Sequence, residues 1–141
     1  MINYRLKNYD YSQKNFYFIT INTYKKSKYF GQIINNEMVC NRYGDIVLEE
    51  KDNIFDSNTI DIVCFQLMPN HLHMIVEFKV NGAIKLKNAV SYFKSYLTRK
   101  VKDINPLWSR GFYDRVIRDE KEFENVYKYI LNNPYMDKYK W

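Results

Sequence analysis

Residues 60–78 read IDIVCFQLMPNHLHMIVEF. Two apolar, β-branched runs, Ile60–Leu67 and His71–Phe78, flank Met68-Pro69-Asn70, and Pro followed by Asn is turn chemistry. The stretch predicts an antiparallel hairpin. In its second run Leu72, Met74, Val76 and Phe78 alternate with His71 and His73. One face of that strand therefore enters an apolar layer, and the other carries both imidazoles. These are the chain's only two histidines.

Working outward, Phe16–Thr23 (FYFITINT) is aromatic and β-branched, with Phe16, Phe18 and Thr20 alternating against Tyr17, Ile19 and Ile21, which predicts a strand. A polar arm to about Asn15 precedes it. Tyr29–Val39 holds short extended pieces around Gly31, an irregular hairpin or insertion, and Asn41–Lys51 has a weak helical pattern. Beyond the central hairpin, Leu86, Ala89, Val90, Phe93, Leu97 and Val101 fall on one face at helical spacing. Asn105-Pro106 lies at or past the end of that helix. Phe112–Ile117 (FYDRVI) predicts a short strand, Asp119 an N-cap, and Glu120 to Asn132 a last helix that Pro134 stops. This order predicts one domain over residues 1–141. Its class is α+β, a ferredoxin-like or RRM-like sandwich with a central antiparallel sheet and helices packed mainly on one face.

The 141 residues are 46% hydrophobic, the composition of a folded chain. No run approaches the ~18 apolar residues of a membrane span, and the polar beginning lacks the apolar stretch of a signal peptide. Cys40 and Cys64 form no metal-spaced pair, so a reducing cytoplasm is the expected compartment. The formal net charge is +6. It is concentrated between Lys79 and Arg118, where ten basic residues face two acids, Asp103 and Asp114, while acids outnumber bases in the remainder. A concentrated basic region is the footprint of a polyanion, although lysines also simply solvate helix faces. Fourteen tyrosines, nine phenylalanines and two tryptophans accompany that charge. Most such rings fill cores, but ring faces beside cations also suit unstacked bases of single strands.

Side chains at i and i+2 of a strand leave the same face, so His71 and His73 can hold one divalent ion. Two imidazoles leave such an ion unsaturated. On the last helix Tyr129 and Asn133 lie one turn apart on a stripe beside the packed face of Phe123, Val126, Ile130 and, in part, Tyr127. Asn133 offers a carbonyl oxygen as a further ligand, and Glu122 is a second, weaker candidate. An alternative reading makes Tyr129 a half-buried packing residue and Asn133 a helix C-cap.

The segment FQLMPNHLHMIVEF resembles the signature of single-tyrosine HUH transposases, in which His, a hydrophobe and His follow a Met-Pro-Asn turn. RLKNYDYSQKNFYFITINTYKKSKYFG and LWSRGFYDRVIRDEKEFENVYKYILNNP resemble the beginning and end of the REP-associated tyrosine transposase branch. The likeness spans nearly the whole chain in the expected motif order. It implies a catalytic Tyr129 on the last helix and Asn133 four residues later as a metal ligand beside His71 and His73. Two positions depart from the pattern: insertion-sequence relatives more often carry glutamine where Asn133 stands, and many relatives carry histidine where Arg115 stands. Tyr127, expected to face the core, and Tyr113 and Tyr135, outside the helical stripe, are the rival nucleophiles.

The resemblance further implies a single-stranded DNA substrate with a hairpin and either a monomer or a homodimer. The expected cofactor is Mg²⁺ or Mn²⁺, ligand softness favouring Mn²⁺ and cellular abundance Mg²⁺. On this reading Tyr129 forms a 5′-phosphotyrosine link that another strand's hydroxyl reverses, which explains cutting and joining without a nucleotide cofactor. The helix Leu86–Lys102 becomes a DNA-gripping element, with Lys85, Lys87, Lys94, Arg99, Lys100 and Lys102 joined by Arg110 and Arg118 as phosphate contacts. Two readings from different classes stand: a DNA-cutting transposase, or a catalytically inactive or domesticated protein that binds hairpins. Only the first explains His71, His73, Tyr129 and Asn133 together. A zinc hydrolase using Cys64 fits poorly, because that thiol is expected in the hairpin's apolar layer or several residues from the ion.

Overall fold

The computed structural model describes Leu6 and residues 8–134. Its centre is a four-stranded sheet of β1 (Asn15–Asn22), β4 (Ile60–Met68), β5 (His71–Phe78) and β6 (Tyr113–Ile117), in the spatial order β4-β5-β1-β6. Every neighbouring pair is antiparallel. Helix α1 (Arg42–Glu50) follows β1 and helix α2 (Leu86–Val101) follows β5. The resulting βαββαβ unit is the ferredoxin-like arrangement the sequence predicts. A third helix, α3 (Glu120–Leu131), is added after the last strand.

Strand alternation divides the sheet into two faces. Tyr17, Ile19, Ile21, Leu72, Met74, Val76 and Phe78 form the larger core with Val47 of α1 and with α2. The buried stripe of α2 is Leu86, Ala89, Val90, Phe93, Leu97 and Val101, the residues its periodicity selects. Phe18, Cys64, Ile75 and Ile117 face the other way and form a smaller core with Val126 and Ile130 of α3. Among the described residues two helices thus cover one face and α3 covers the other. A register shift between Ile62 and Cys64 admits one extra residue in β4, so Cys64 opposes Ile75 and joins the smaller core.

The Tyr29–Val39 segment is more regular than its sequence suggests. Strands β2 (Gly31–Ile34) and β3 (Glu37–Cys40) pair through Asn35-Asn36, both left-handed, at φ 52° and 63°. Two successive left-handed residues make the primed turn that suits strand twist, and asparagine tolerates it. Asn41 then caps α1, its side chain accepting from the backbone N–H of Tyr43 and Gly44. Gly44 is required there, since a Cβ would lie 2.4 Å from the carbonyl oxygen of Phe30. The arm before β1 is not merely solvated, because Tyr9 and Tyr11 pack on Tyr17. Among the described residues no helix is long and apolar enough to cross a membrane.

Candidate active site

The Pro69-Asn70 turn decides where the histidines stand. It closes β4 onto β5 so that Met68 opposes His71 and Gln66 opposes His73. On its other edge β5 pairs with β1, bringing Asn22 opposite His71 and Thr20 opposite His73. Both imidazoles therefore leave one end of the sheet on the face that α3 covers, with ring centroids 4.8 Å apart.

Helix α3 starts beyond β6 at the far end of the sheet and runs back toward the histidines. Asp119 caps it as predicted, its carboxylate accepting from Glu122 N at 2.7 Å. Val126 and Ile130 anchor the helix on the small core. Tyr129, beside that anchored stripe, lies with its ring centroid 5.7 Å from His73 and 6.3 Å from Phe18. Asn133 follows the helix, is buried, and places Oδ1 3.3 Å from His71 Nε2. The helix C-cap is Asn132 rather than Asn133. Four residues from opposite ends of the second half of the chain thus meet at one place.

The second ring nitrogen of each histidine is also engaged. His73 Nδ1 lies 2.8 Å from Thr20 Oγ1, and His71 Nδ1 lies 2.7 Å from Asn70 Oδ1. Such contacts fix ring orientation, and a neutral ring whose Nδ1 carries the proton presents a free lone pair on Nε2 for a metal. Three arrangements satisfy both contacts of His71. One is an imidazolium donating to both amide oxygens. The second is a neutral ring whose Nε2 accepts from the Asn133 carboxamide N–H once that amide is turned over. The third is a neutral ring whose Nε2 shares a cation with Asn133 Oδ1. Ligands about 2.1 Å from an ion and near right angles stand about 3 Å apart, so the 3.3 Å separation leaves room for the third. Burial, and secondarily neighbouring His71, holds the His73 pKa well below the usual histidine range, which keeps that ring neutral as ligation requires. Among the described residues no cluster of three His, Cys, Asp or Glu could hold a metal, so a carboxamide is the third donor on offer.

Burial pushes the Tyr129 phenol pKa up, and the group stays protonated near neutrality. Of the rivals among the described residues, Tyr113 shares the histidine face of the sheet, opposing Thr20 from β6. Tyr127, expected to face the core, is 39% exposed and stacks on Phe123. Tyr135 lies outside the described residues. Glu122, the weaker ligand candidate, lies near the start of α3 and pairs with Arg115 at 3.5 Å. Cys64 belongs to the small core, and burial raises its thiol pKa to about 11.

The cations occupy three places. Lys85, Lys87, Arg99, Lys100 and Lys102 are exposed on or beside α2, across the sheet from the histidines. Arg118 follows Ile117, which pairs with Phe16; six strand residues from Asn22, this is about 20 Å from the histidine end. Arg110 is exposed in the loop before β6, at the histidine end. Lys94, expected to grip phosphate, instead donates to the carbonyl oxygens of Ser109 (2.8 Å) and Gly111 (3.0 Å). Burial lowers its pKa. Thr20 and Asn70 are the histidine partners that sequence reasoning missed. Strand alternation already put Thr20 on the histidine-bearing face of β1 only once the β1–β5 register is known, whereas Asn70 stood next to His71 in plain view.

Comparisons with known proteins agree with this architecture. A family model described as "Transposase IS200 like" matches residues 14–133. A protein of Haemophilus influenzae without assigned function is 38% identical over 92% of this chain and 86% of its own length. Another from the same organism, provisionally described as a REP-associated tyrosine transposase, is 24% identical over 95% of this chain and 76% of its own. Among solved structures, a REP-associated tyrosine transposase bound to a REP hairpin superposes with a TM-score of 0.67 at 19% identity, covering 97% of this chain and 74% of that one. A Deinococcus radiodurans protein provisionally described as a transposase gives a TM-score of 0.55 at 18% identity, over 91% and 97% of the two chains. The structural likenesses speak for the fold, while the family match covers β1 through Asn133, the whole span that builds the histidine–tyrosine site. This chain belongs to the IS200-like transposase family.

Proposed function

We propose that this transposase cuts and rejoins single-stranded DNA beside a hairpin, with Tyr129 as nucleophile and a divalent ion held by His71, His73 and Asn133. One observation carries the reading: a phenol, two imidazoles and a carboxamide oxygen converge at one end of the sheet, with His71 Nε2 and Asn133 Oδ1 3.3 Å apart.

In the proposed step the Tyr129 oxygen forms a bond to phosphorus as the bond to the 3′ oxygen breaks. The phenolic proton is released and the departing 3′ oxygen takes one up, so no net proton is consumed. The product is a 5′-phosphotyrosine and a free 3′-hydroxyl, and attack by another strand's hydroxyl reverses the exchange. Mg²⁺ or Mn²⁺ bound there would polarise the scissile phosphate and offset charge developing on it. The chain's own part is to hold Tyr129 against His73 and Phe18 and to keep the site largely dry. Hairpin recognition is supported by the related structure that holds a REP hairpin and by the exposed cations.

The test is incubation with labelled hairpin DNA carrying a single-stranded flank, in Mn²⁺, with a denaturing gel read for a covalent adduct. Adduct is expected from the wild type and absent from Tyr129→Phe. An adduct that survives Tyr129→Phe reassigns the nucleophile. Tight binding without adduct under any metal favours the binding-protein reading.

A further inference from the structure

Arg110 sits in the loop between α2 and β6, and that loop is tied down on both sides of it. Ser109 N donates to Asn22 O at 3.0 Å and Ser109 Oγ to Thr23 O at 2.7 Å. Trp108 bridges to Thr23, and its ring N–H donates to the Lys94 carbonyl at 3.1 Å. The Lys94 ammonium then donates to the carbonyls of Ser109 and Gly111, the two residues flanking Arg110. Two hydrogen bonds from one ammonium to carbonyls two residues apart fix this short piece of backbone. That piece borders Asn22, the register partner of His71. Arg110 itself is exposed and takes part in none of the ion pairs among the described residues.

We propose that Arg110 clamps a backbone phosphate of the DNA strand entering the histidine site, and that Lys94 is the positioning residue that holds Arg110 there. The inference rests on the DNA-cutting reading above and adds to it where the strand is held. A guanidinium suits the task because its planar fork bonds two phosphate oxygens at once. The exposed cations of α2 lie across the sheet. Exposed Lys25 and Lys26 also follow Asn22 at the histidine end, and Arg110 differs from them in that the carbonyls on both sides of it are held by Lys94.

The experiment uses the full chain, a fluorescent oligothymidylate of about 20 nucleotides for binding, and the hairpin substrate for adduct formation. Arg110→Ala is expected to weaken binding about tenfold and to lower the slope of log K against log[salt] by about 0.7, one single-strand phosphate contact. Arg110→Lys should restore the slope but only part of the affinity. Lys94→Met should reproduce much of the loss in the wild-type background and add nothing to Arg110→Ala. Ser109→Ala, which removes the Thr23 anchor, is the milder second variant should Lys94→Met fail to fold, and it should show the same coupling. Losses that add in full to Arg110→Ala overturn the positioning role. Wild-type affinity and slope in Arg110→Ala overturn the clamp, while wild-type adduct in that experiment leaves the nuclease reading standing. A wild type that neither binds nor cuts DNA overturns both.

Discussion

Thr20 is a small buried residue with a large expected effect. Its hydroxyl is 2.8 Å from His73 Nδ1, so it sets which nitrogen of that ring faces the site. Thr20→Val keeps the shape and the β-branched strand preference but removes the partner. The half-saturating Mn²⁺ concentration for adduct formation should rise about 10–100-fold, and Thr20→Ser should recover most of it. Valine behaving as wild type would show that His73 needs no such partner. Cys64 offers a test of burial alone. Its folded pKa is raised from 9.0 to about 11 by burial, so its contribution is fully present below pH 9 and is lost as pH rises from there toward 11. Denaturation at pH 8 and pH 10.5 should show a larger loss for the wild type than for Cys64→Ala. At this scale the histidine pair was legible because a strand alternates strictly. Its hydrogen-bond partner on β1 was not, because facing residues are known only once strands are in register.

Among the elements, α3 carries the proposed nucleophile on a small core. Among the described residues it is the cover of its face, anchored by Val126 and Ile130. Asp119→Ala removes its only side-chain cap and should cost about 1 kcal/mol in urea denaturation. A fall in adduct yield larger than the fall in folded fraction would show that α3 loosens before the whole domain unfolds. Helical periodicity identified the buried stripe but left two flanking tyrosines. At 100° per residue, Tyr127 and Tyr129 sit on opposite shoulders of Ile130, and only the sheet beneath decides which shoulder meets the histidines. Family resemblance selected Tyr129, and the structure turns Tyr127 outward. The hairpin β2–β3 was blurred for another reason: its turn is Asn-Asn, without the glycine that usually marks a primed turn.

At the scale of the molecule, the strand order explains why distant residues meet. With β1 in the interior of the sheet, β5 and β6 lie on its two edges, and α3 returning from β6 must cross β1 to reach β5. The order of elements in the sequence suggested this sandwich, because hairpin and helix patterns alternate as a βαββαβ unit does. The distribution of charge over the surface was less legible. Lys94 reads as one more cation of a basic helix, and only the folded loop shows it turned inward.

The tight reversal at Pro69-Asn70 ties chain length to chemistry. Strand β5 is buried on both faces, so its register is strongly specified. A residue added between Met68 and His71 would be taken up by the turn, moving the Pro69 and Asn70 carbonyls away from Phe30 N and Thr23 N and Asn70 Oδ1 away from His71 Nδ1. Mn²⁺ affinity should then fall more than stability, as Mn²⁺ titration and circular dichroism would show. A residue added at positions 81–83, whose bonds reach Ser12 and Lys14 and not the histidines, should instead leave Mn²⁺ affinity close to wild type. Among relatives of this enzyme, gaps and insertions should therefore gather in the connection after Phe78 and be missing from the one before His71.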